Sequence, residues 1–294
     1  MSDTVLFLAL MLPGTVFLGM NDVLVRRVLR SGTSSSQLLL IYEYGSAAFL
    51  VSLVLFITGI PDIHPGFWSA VAVTVVLNVF AQWAWYSAFA REEASLISPL
   101  RLITPPLVII TGYLVLNEIP SLLGAVGIML TMFGLWTLFY GEARASRVAV
   151  RDVVRRPGML LALWGAVSFA ISLPFDKKVV LTSSPLFAVA VVFAGLAFGS
   201  GVVFLLRGGK TMRLAFRESK GALVAIPFVH TAASLLAYAA LQYSLAAYAA
   251  SVKRLWPLWA VLFAGTFLKE GNIRRKLLAT AIMLAGIALT VVLG

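Results

Sequence analysis

The fold is decided by two stretches of sequence, which read ASLISPLRLITPPLVIITGYLVLNE at residues 94–118 and AAYAASVKRLWPLWAVLFAGTFLKE at residues 246–270. Both stretches place a proline thirteen residues before a glutamate. Residues of the same or similar type recur 152 positions further along the chain. The pairs include Pro105 and Pro257, Glu118 and Glu270, Arg101 and Lys253, Tyr86 and Tyr238, and Gly134 and Gly286. Self-similarity over half of a strongly apolar chain is typical of a transporter built from two repeats.

The composition indicates a membrane protein. The chain of 294 residues is 61% hydrophobic and only 12% charged, with a mean hydropathy of +0.97, which is far from the balance of a soluble domain. A bilayer span needs about 20 apolar residues, and the chain supplies ten such runs. We predict spans near 4–25, 37–59, 66–89, 94–116, 120–140, 159–181, 184–206, 221–244, 246–268 and 275–293. A soluble α/β enzyme would instead alternate polar helices with apolar strands of about 4–8 residues.

Ten spans divide evenly between the two repeats. We therefore predict an all-α polytopic membrane protein with a first repeat over 1–140 and a second repeat over 159–294. The polar, basic segment 141–158 is predicted to link them. Because each repeat has an odd number of spans, the two repeats are expected to be inverted relative to one another.

The basic residues are unevenly distributed among the predicted connections. Of the 23 lysines and arginines, 18 lie in connections that follow odd-numbered spans, and the connection 60–65 has none. Short cytoplasmic loops collect such residues, so we expect the odd connections to be cytoplasmic and both termini to face outward. The same basic loops would attract anionic lipids. This location argues against a nucleic-acid partner as the reason for the net charge of +11.

A polar stripe runs along two of the predicted spans. Residues four apart lie on one face of a helix, and the repeat offset lays one stripe over the other. The stripes are Asn78, Gln82 and Tyr86 in span 3, with Trp85 beside them, and His230, Ser234 and Tyr238 in span 8. Polar groups in hydrocarbon need protein or water as partners. The stripes therefore line a substrate cavity or form a hydrogen-bonded seam between helices.

Ionisable residues inside the spans are few, and each costs about 2.5–3.5 kcal/mol near the bilayer centre. The bases are Arg101, Lys253 and Arg254, and the acids are Asp22, Glu43 and Asp176. Arg101 and Lys253 each precede a repeat proline by four residues, which places them beside a predicted helix break. They are predicted to bind an anionic group, with Trp256 as an aromatic neighbour, or alternatively to pair with the three acids. The acids are candidate proton carriers, because a buried carboxyl group binds or releases a proton as its partners change.

Several kinds of chemistry are excluded or lack their motifs. The chain has no cysteine, which excludes disulfides and thiolate catalysis. It has no His-Glu-x-x-His metal motif, no Gly-x-Ser-x-Gly elbow and no aspartate-rich cluster for metal-bound diphosphate. We expect no enzyme activity, no metal and no cofactor. Glu118 and Glu270 lie at the ends of spans 4 and 9, where a capping role is favoured.

The motif residues resemble the repeat of EamA-domain proteins in the drug/metabolite transporter superfamily. They are the run from Ala94 to Pro105, Leu116-Asn117-Glu118, Gly124 and Gly134, with Ala246 to Pro257, Leu268-Lys269-Glu270 and Gly286 as the second copy. The resemblance implies two inverted five-helix repeats, with a cavity lined by spans 1–4 and 6–9. It also implies secondary transport of a small metabolite. Both termini would then lie in the cytoplasm, opposite to the orientation that the charge bias favours.

The sequence thus favours a secondary transporter in the plasma membrane, the inner membrane of a bacterium, that works by alternating access. Its expected partners are a small polar substrate, anionic or zwitterionic, and the lipid bilayer. The oligomer considered is a homodimer. The apolar part of the substrate is expected to lie against Trp85, Tyr86 and Tyr238. A flippase for a lipid or a lipid-linked sugar phosphate is the alternative. A channel is disfavoured, because a pore does not need inverted repeats.

Overall fold

The computed structural model describes residues 2–30, 36–89, 91–92, 98–143, 156–206, 220–259 and 273–292, and none of these residues forms a β-strand. Its α-helices are, in chain order, α1 (Asp3–Arg30), α2 (Ser36–Thr58), α3 (Phe67–Phe89), α4 (Thr104–Leu116), α5 (Leu122–Ala143), α6 (Pro157–Leu181), α7 (Pro185–Leu206), α8 (Lys220–Ala240), α9 (Ala246–Lys253) and α10 (Ile273–Ile287). Short 3₁₀ helices cover Ser98–Ile103 and Leu241–Tyr243, and a π-helical turn covers Ala288–Val292.

The long helices have the length and composition of membrane spans. Within the described residues, six candidate spans meet both criteria: Asp3–Leu29, Gln37–Thr58, Phe67–Ala88, Pro157–Leu181, Pro185–Leu206 and Lys220–Tyr243. Three shorter apolar helices lie at Leu100–Leu116, Leu122–Thr137 and Leu278–Val292. Large apolar side chains such as Phe56, which is 92% exposed, face outward. Such surfaces suit lipid and not water. The all-helical class is confirmed, and a count of ten spans stays a prediction.

The chain divides into two compact units, and neither coincides with one sequence repeat. The first unit contains Met1–Val76, Asp176–Tyr243 and Leu255–Lys269. The second unit contains Leu77–Phe175, Ser244–Arg254 and Glu270–Gly294. Each unit thus combines helices from both repeats, and α3 and α6 contribute residues to both units.

In the first unit, α1 packs along α8, and α2 packs along α7. Glycines allow the helices of both pairs to lie close together. A Cβ on Gly14 would lie 3.4 Å from Cβ of Leu236, and a Cβ on Gly45 would lie 3.7 Å from Cβ of Ala197. Close contact through small residues is the usual way in which membrane helices associate. The first unit therefore brings α1, α2, α7 and α8 together, and these helices carry most of its buried polar side chains.

In the second unit, α5 packs along α10 through glycines that the repeat offset relates. A Cβ on Gly134 would lie 2.8 Å from the backbone nitrogen of Met283, and one on Gly286 would lie 2.5 Å from that of Thr131. The two backbones are therefore too close for any larger side chain at these positions. Helix α9 packs against α4 and α5 in the same unit, with the rings and methyl groups of Val108, Ile128 and Tyr248 between them.

Candidate functional site

Both copies of the repeat motif break their helix at the same place. In the first copy a 3₁₀ segment ends at Ile103 and an α-helix starts at Thr104, with prolines in its first turn. In the second copy α9 ends at Lys253, the chain turns at residues 254–255, and helical conformation resumes from Trp256 to Trp259. Proline lacks the backbone N–H that a continuous helix would use. The breaks predicted from the prolines are confirmed at equivalent positions.

Arginines lie at these breaks in the second unit. The guanidinium carbon of Arg101 lies 4.4 Å from the centre of the Trp85 ring, which is a cation–π geometry. Arg101 and Arg254 are also close enough for their positive charges to repel each other. Trp85 is itself buried, and Gly165 leaves room for it, since a Cβ there would lie 2.8 Å from Cδ1 of the indole. The second unit thus holds two arginines close together, one of them on a fixed aromatic platform.

Glu118 of the first motif copy anchors the N-terminal end of α9. The backbone N–H of Ala246, the first residue of α9, donates a hydrogen bond to Oε2 of Glu118 at 2.7 Å. Asn117 presents the glutamate by ending α4 in the left-handed conformation, with φ of 56°. The negative charge of a carboxylate at a helix N-terminus also interacts favourably with the helix dipole. The capping role predicted for Glu118 is confirmed, and Glu270 lies outside the described residues.

A buried carboxylate and a histidine form the main polar contact of the first unit. Asn21 donates from Nδ2 to Oε1 of Glu43 at 2.5 Å, and Nδ1 of His230 lies 2.8 Å from the same oxygen. Glu43 and His230 are each only 6% exposed. Three helices, α1, α2 and α8, supply these three side chains. The Glu43 carboxylate therefore has an amide donor and an imidazole beside it.

A second buried carboxylate in this unit is held by hydroxyl groups. Thr74 of α3 donates from its hydroxyl group to Oδ1 of Asp176, and Tyr238 of α8 donates to the same oxygen at 3.2 Å. Asp176 is 8% exposed. Hydroxyl donors stabilise a carboxylate without adding charge. Glu43 thus accepts from an amide and lies beside an imidazole, whereas Asp176 accepts from two hydroxyl groups.

Aromatic rings connect the two carboxylate sites. The Phe193 ring stacks on His230 at a centroid distance of 5.3 Å and meets Tyr238 edge-on at 6.0 Å. Tyr44 meets both Phe193 and His230 edge-on, at 5.1 and 5.3 Å. Edge-on and stacked pairs fix ring planes more firmly than aliphatic contacts do. The imidazole of His230 is thereby oriented from two sides.

Comparison with known proteins gives the family. The model of the EamA-like transporter family matches the chain twice, over residues 5–140 and 156–292. The chain belongs to this family. The resemblance found in the motif residues is confirmed, and the chain is a multi-pass membrane protein with the two-repeat architecture of EamA-like transporters. A search among curated proteins gave no match.

The fold of this EamA-like chain recurs among solved structures, of which 28 chains match. One crystal structure of a protein superposes with a TM-score of 0.77, covering 97% of this chain and 99% of the other. The two sequences are only 13% identical. The likeness therefore establishes the shared fold and carries no information about the substrate.

The two predicted stripes of this EamA-like chain lie in different compact units. Asn78, Gln82 and Tyr86 belong to the second unit, together with the bases Arg101, Lys253 and Arg254. His230, Ser234 and Tyr238 belong to the first unit, together with Trp256 and the acids Asp22, Glu43 and Asp176. Asn78 and Ser234 are buried, and Gln82, Tyr86, Asp22, Lys253 and Trp256 are partly buried. The repeat therefore relates residues whose surroundings have become chemically different.

Four residues of the polar clusters are absent from the sequence-based prediction. Thr74 precedes Asn78 by one helical turn, so extending the stripe backward by four residues would have found it. Asn21 and Tyr44 are immediate neighbours of Asp22 and Glu43, and only the tertiary structure distinguishes their roles. Phe193 lies in an almost entirely apolar helix and gives no signal. Among the residues described, no group of three or more His, Asp or Glu side chains is arranged to hold a metal.

Proposed function

We propose that the protein is a secondary transporter that moves a small polar metabolite bearing an anionic group across the plasma membrane by alternating access. The metabolite is anionic or zwitterionic. The observation that carries this proposal is the pair of arginines at the helix breaks of the second unit, where Arg101 lies on Trp85 and repels Arg254. Membership of a transporter family supports the transport of a small molecule.

Like charges in a partly buried site favour an anionic ligand. Arg101 and Arg254 are each only partly exposed, so water screens their repulsion less than on a surface. Lys253, which is next in sequence to Arg254, adds a third positive group to the same break. A carboxylate or phosphate bound there would offset the repulsion and form charge-assisted hydrogen bonds. Transporter sites are commonly built at such discontinuous helices.

The aromatic platform supports recognition of a planar or tetrahedral anion. The guanidinium carbon of Arg101 lies over the Trp85 ring, whereas anions bind along the N–H edge of a guanidinium, so one arginine can make both contacts. A buried, immobile indole also reduces the entropy that the arginine loses on binding. Trp85 is 3% exposed and is therefore such a support.

Thermal unfolding in detergent with a ligand panel is the test. Each panel member is an anionic metabolite paired with its neutral amide or ester, and the readout is the shift in melting temperature. The proposal predicts stabilisation by anionic members alone. Arg101→Gln is expected to weaken binding of the strongest ligand about tenfold, or about 1.4 kcal/mol.

Arg156→Gln is the matched control. Arg156 is an exposed arginine of the same unit, paired with Glu92 at 3.2 Å, and its loss is expected to leave affinity unchanged. If Arg101 and Lys253 instead serve to neutralise acids, their Gln variants lower the melting temperature without ligand and spare affinity. Unchanged affinity in both Gln variants contradicts the proposal.

A further inference from the structure

We propose that Glu43 and His230 form the proton-coupling site, sharing one proton that the protein takes up from water and returns to water in each transport cycle. This inference rests on the proposed transport function and adds to it the driving ion and the two residues that bind it. It also gives His230 a role other than the substrate-binding one that its sequence position favoured.

The geometry supports a shared proton. Nδ1 of His230 lies 2.8 Å from Oε1 of Glu43, and both side chains are more than nine-tenths buried. At this distance one proton can be shared, so the bound proton belongs to the pair and not to either residue. With the proton bound the pair is neutral, and without it the pair carries one negative charge.

The other nitrogen of the imidazole points to exchange with solvent or ligand. Neither ring nitrogen of His230 forms a well-aligned hydrogen bond among the residues that the structure describes, although Nδ1 lies 2.8 Å from Oε1 of Glu43. A buried ring nitrogen of this kind usually has a partner. Because Nδ1 lies next to Glu43 and Nε2 is unpaired within the described residues, the imidazole can accept a proton at Nε2 and release one from Nδ1 towards Glu43.

The charge change supplies a reason for coupling. A net charge in an apolar interior costs several kcal/mol, whereas a neutral pair costs much less. The protonated pair therefore tolerates conformations in which water is excluded, and the deprotonated pair favours those in which water reaches it. A transporter that changes conformation most readily with the proton bound moves protons and substrate together.

The surroundings distinguish this pair from the other acids. Among the described residues, the charged or titratable side chains on the neighbouring helices include Asp22 next to Asn21 on α1, Tyr44 next to Glu43 on α2, Tyr238 two turns beyond His230 on α8, and Asp176 with Lys177 on α6. Helix α7 contributes Phe193, which does not titrate. Tyrosine stays protonated near neutral pH. Asp176 accepts hydrogen bonds from the hydroxyl groups of Thr74 and Tyr238 and serves as the matched acid control.

The first experiment needs no substrate. Infrared difference spectroscopy of the purified protein during a pH titration follows the carbonyl stretch of protonated carboxyl groups. We expect one such signal to change with pH, to vanish in Glu43→Gln, and to persist in Asp176→Asn and in a variant of the exposed loop histidine, His64→Gln. In His230→Asn its midpoint should shift by about one pH unit or more.

Glu43→Asp covers the case in which the amide variant does not fold, because it keeps the carboxyl group and shortens its reach. Its signal is expected to remain with a shifted midpoint. A signal that persists in Glu43→Gln overturns the proposal, and so does a midpoint that is the same in wild type, Glu43→Asp and His230→Asn.

The second experiment uses a substrate identified by thermal unfolding, in proteoliposomes. Uptake driven by a pH gradient should be lost in Glu43→Gln, while counterflow without a gradient is retained. Gradient-driven uptake of wild-type size in Glu43→Gln overturns the coupling. Failure of the anionic-substrate proposal appears separately, as absence of Arg101-dependent binding, and leaves the infrared result intact.

Discussion

The two compact units differ in the sign of the charged side chains described here and in the groups that hold those side chains. The first unit holds its acids against neutral or ionisable donors, as Glu43 is held by Asn21 and His230. The second unit holds its bases against an aromatic ring and against each other, as Arg101 is held by Trp85. A carboxylate with ionisable neighbours suits proton binding, whereas clustered arginines suit an anion. The two units, each built from helices of both repeats, therefore differ in the charged groups that they bury.

Reversing a charge in the second unit should have the largest effect. Arg101→Glu replaces attraction for an anionic ligand by repulsion, so we expect a loss of affinity of about a hundredfold, or about 2.7 kcal/mol. Asp176→Asn, in the first unit, should change affinity less than about twofold, as expected for independent sites. Both values come from equilibrium binding of one verified ligand. Comparable losses of affinity in the two variants would contradict the assignment of ligand binding to the second unit.

Removing a hydroxyl donor should destabilise the first unit next most strongly. Thr74→Val leaves the buried Asp176 carboxylate without one of its donors, and we expect a loss of about 1–3 kcal/mol in the free energy of unfolding. The control is Thr137→Val, because Thr137 only donates to Phe133 within its own helix. Equal melting temperatures for the two variants would mean that Asp176 does not depend on Thr74.

Moving the aromatic platform should weaken binding without changing any charge. In Gly165→Ala the new methyl group would lie 2.8 Å from Trp85, so the indole and the arginine on it must shift. We expect about a tenfold loss of affinity, or about 1.4 kcal/mol. Gly201→Ala is the control, since a Cβ there contacts nothing within 4 Å. If Gly165→Ala binds the ligand as tightly as wild type does, Trp85 does not position Arg101 for binding.

The smallest effect concerns the helix anchor. Glu118→Gln keeps an acceptor for the Ala246 N–H but removes its negative charge, so the expected loss of stability is about 0.3–1 kcal/mol. Glu118→Ala removes the acceptor as well and should cost more, about 1–2 kcal/mol. Thermal unfolding of the two variants measures both. A Gln variant as unstable as the Ala variant would show that charge, and not hydrogen bonding, anchors α9.

Much of the helical layout follows from the sequence, because a run of apolar residues is a local signal. The span predicted at 184–206 is observed as Pro185–Leu206, and the two proline-associated breaks lie where the repeat predicts them. Helix partners are different, because they depend on contacts between residues far apart in the chain. The stripe in span 8 indicated that His230 needs a partner, but not that Glu43 of α2 supplies it.

Symmetry in the sequence also hides differences in chemistry. The offset pairs Asn78 with His230, and an amide and an imidazole have the same place in the pattern. An imidazole can accept a proton, whereas an amide cannot, and Oε1 of Glu43 lies 2.8 Å from the imidazole of His230. The repeat predicts where polar residues lie, while the surrounding helices determine what those residues do.

The central claim is that the bases of the second unit recognise a negative charge on the ligand. A thermodynamic cycle tests it directly, by comparing a carboxylate ligand with its isosteric amide in wild type and in Arg101→Gln. Wild type should prefer the carboxylate about tenfold or more, and the preference should disappear in Arg101→Gln, which gives a coupling energy near 1.4 kcal/mol. A carboxylate preference of equal size in both proteins would contradict the account.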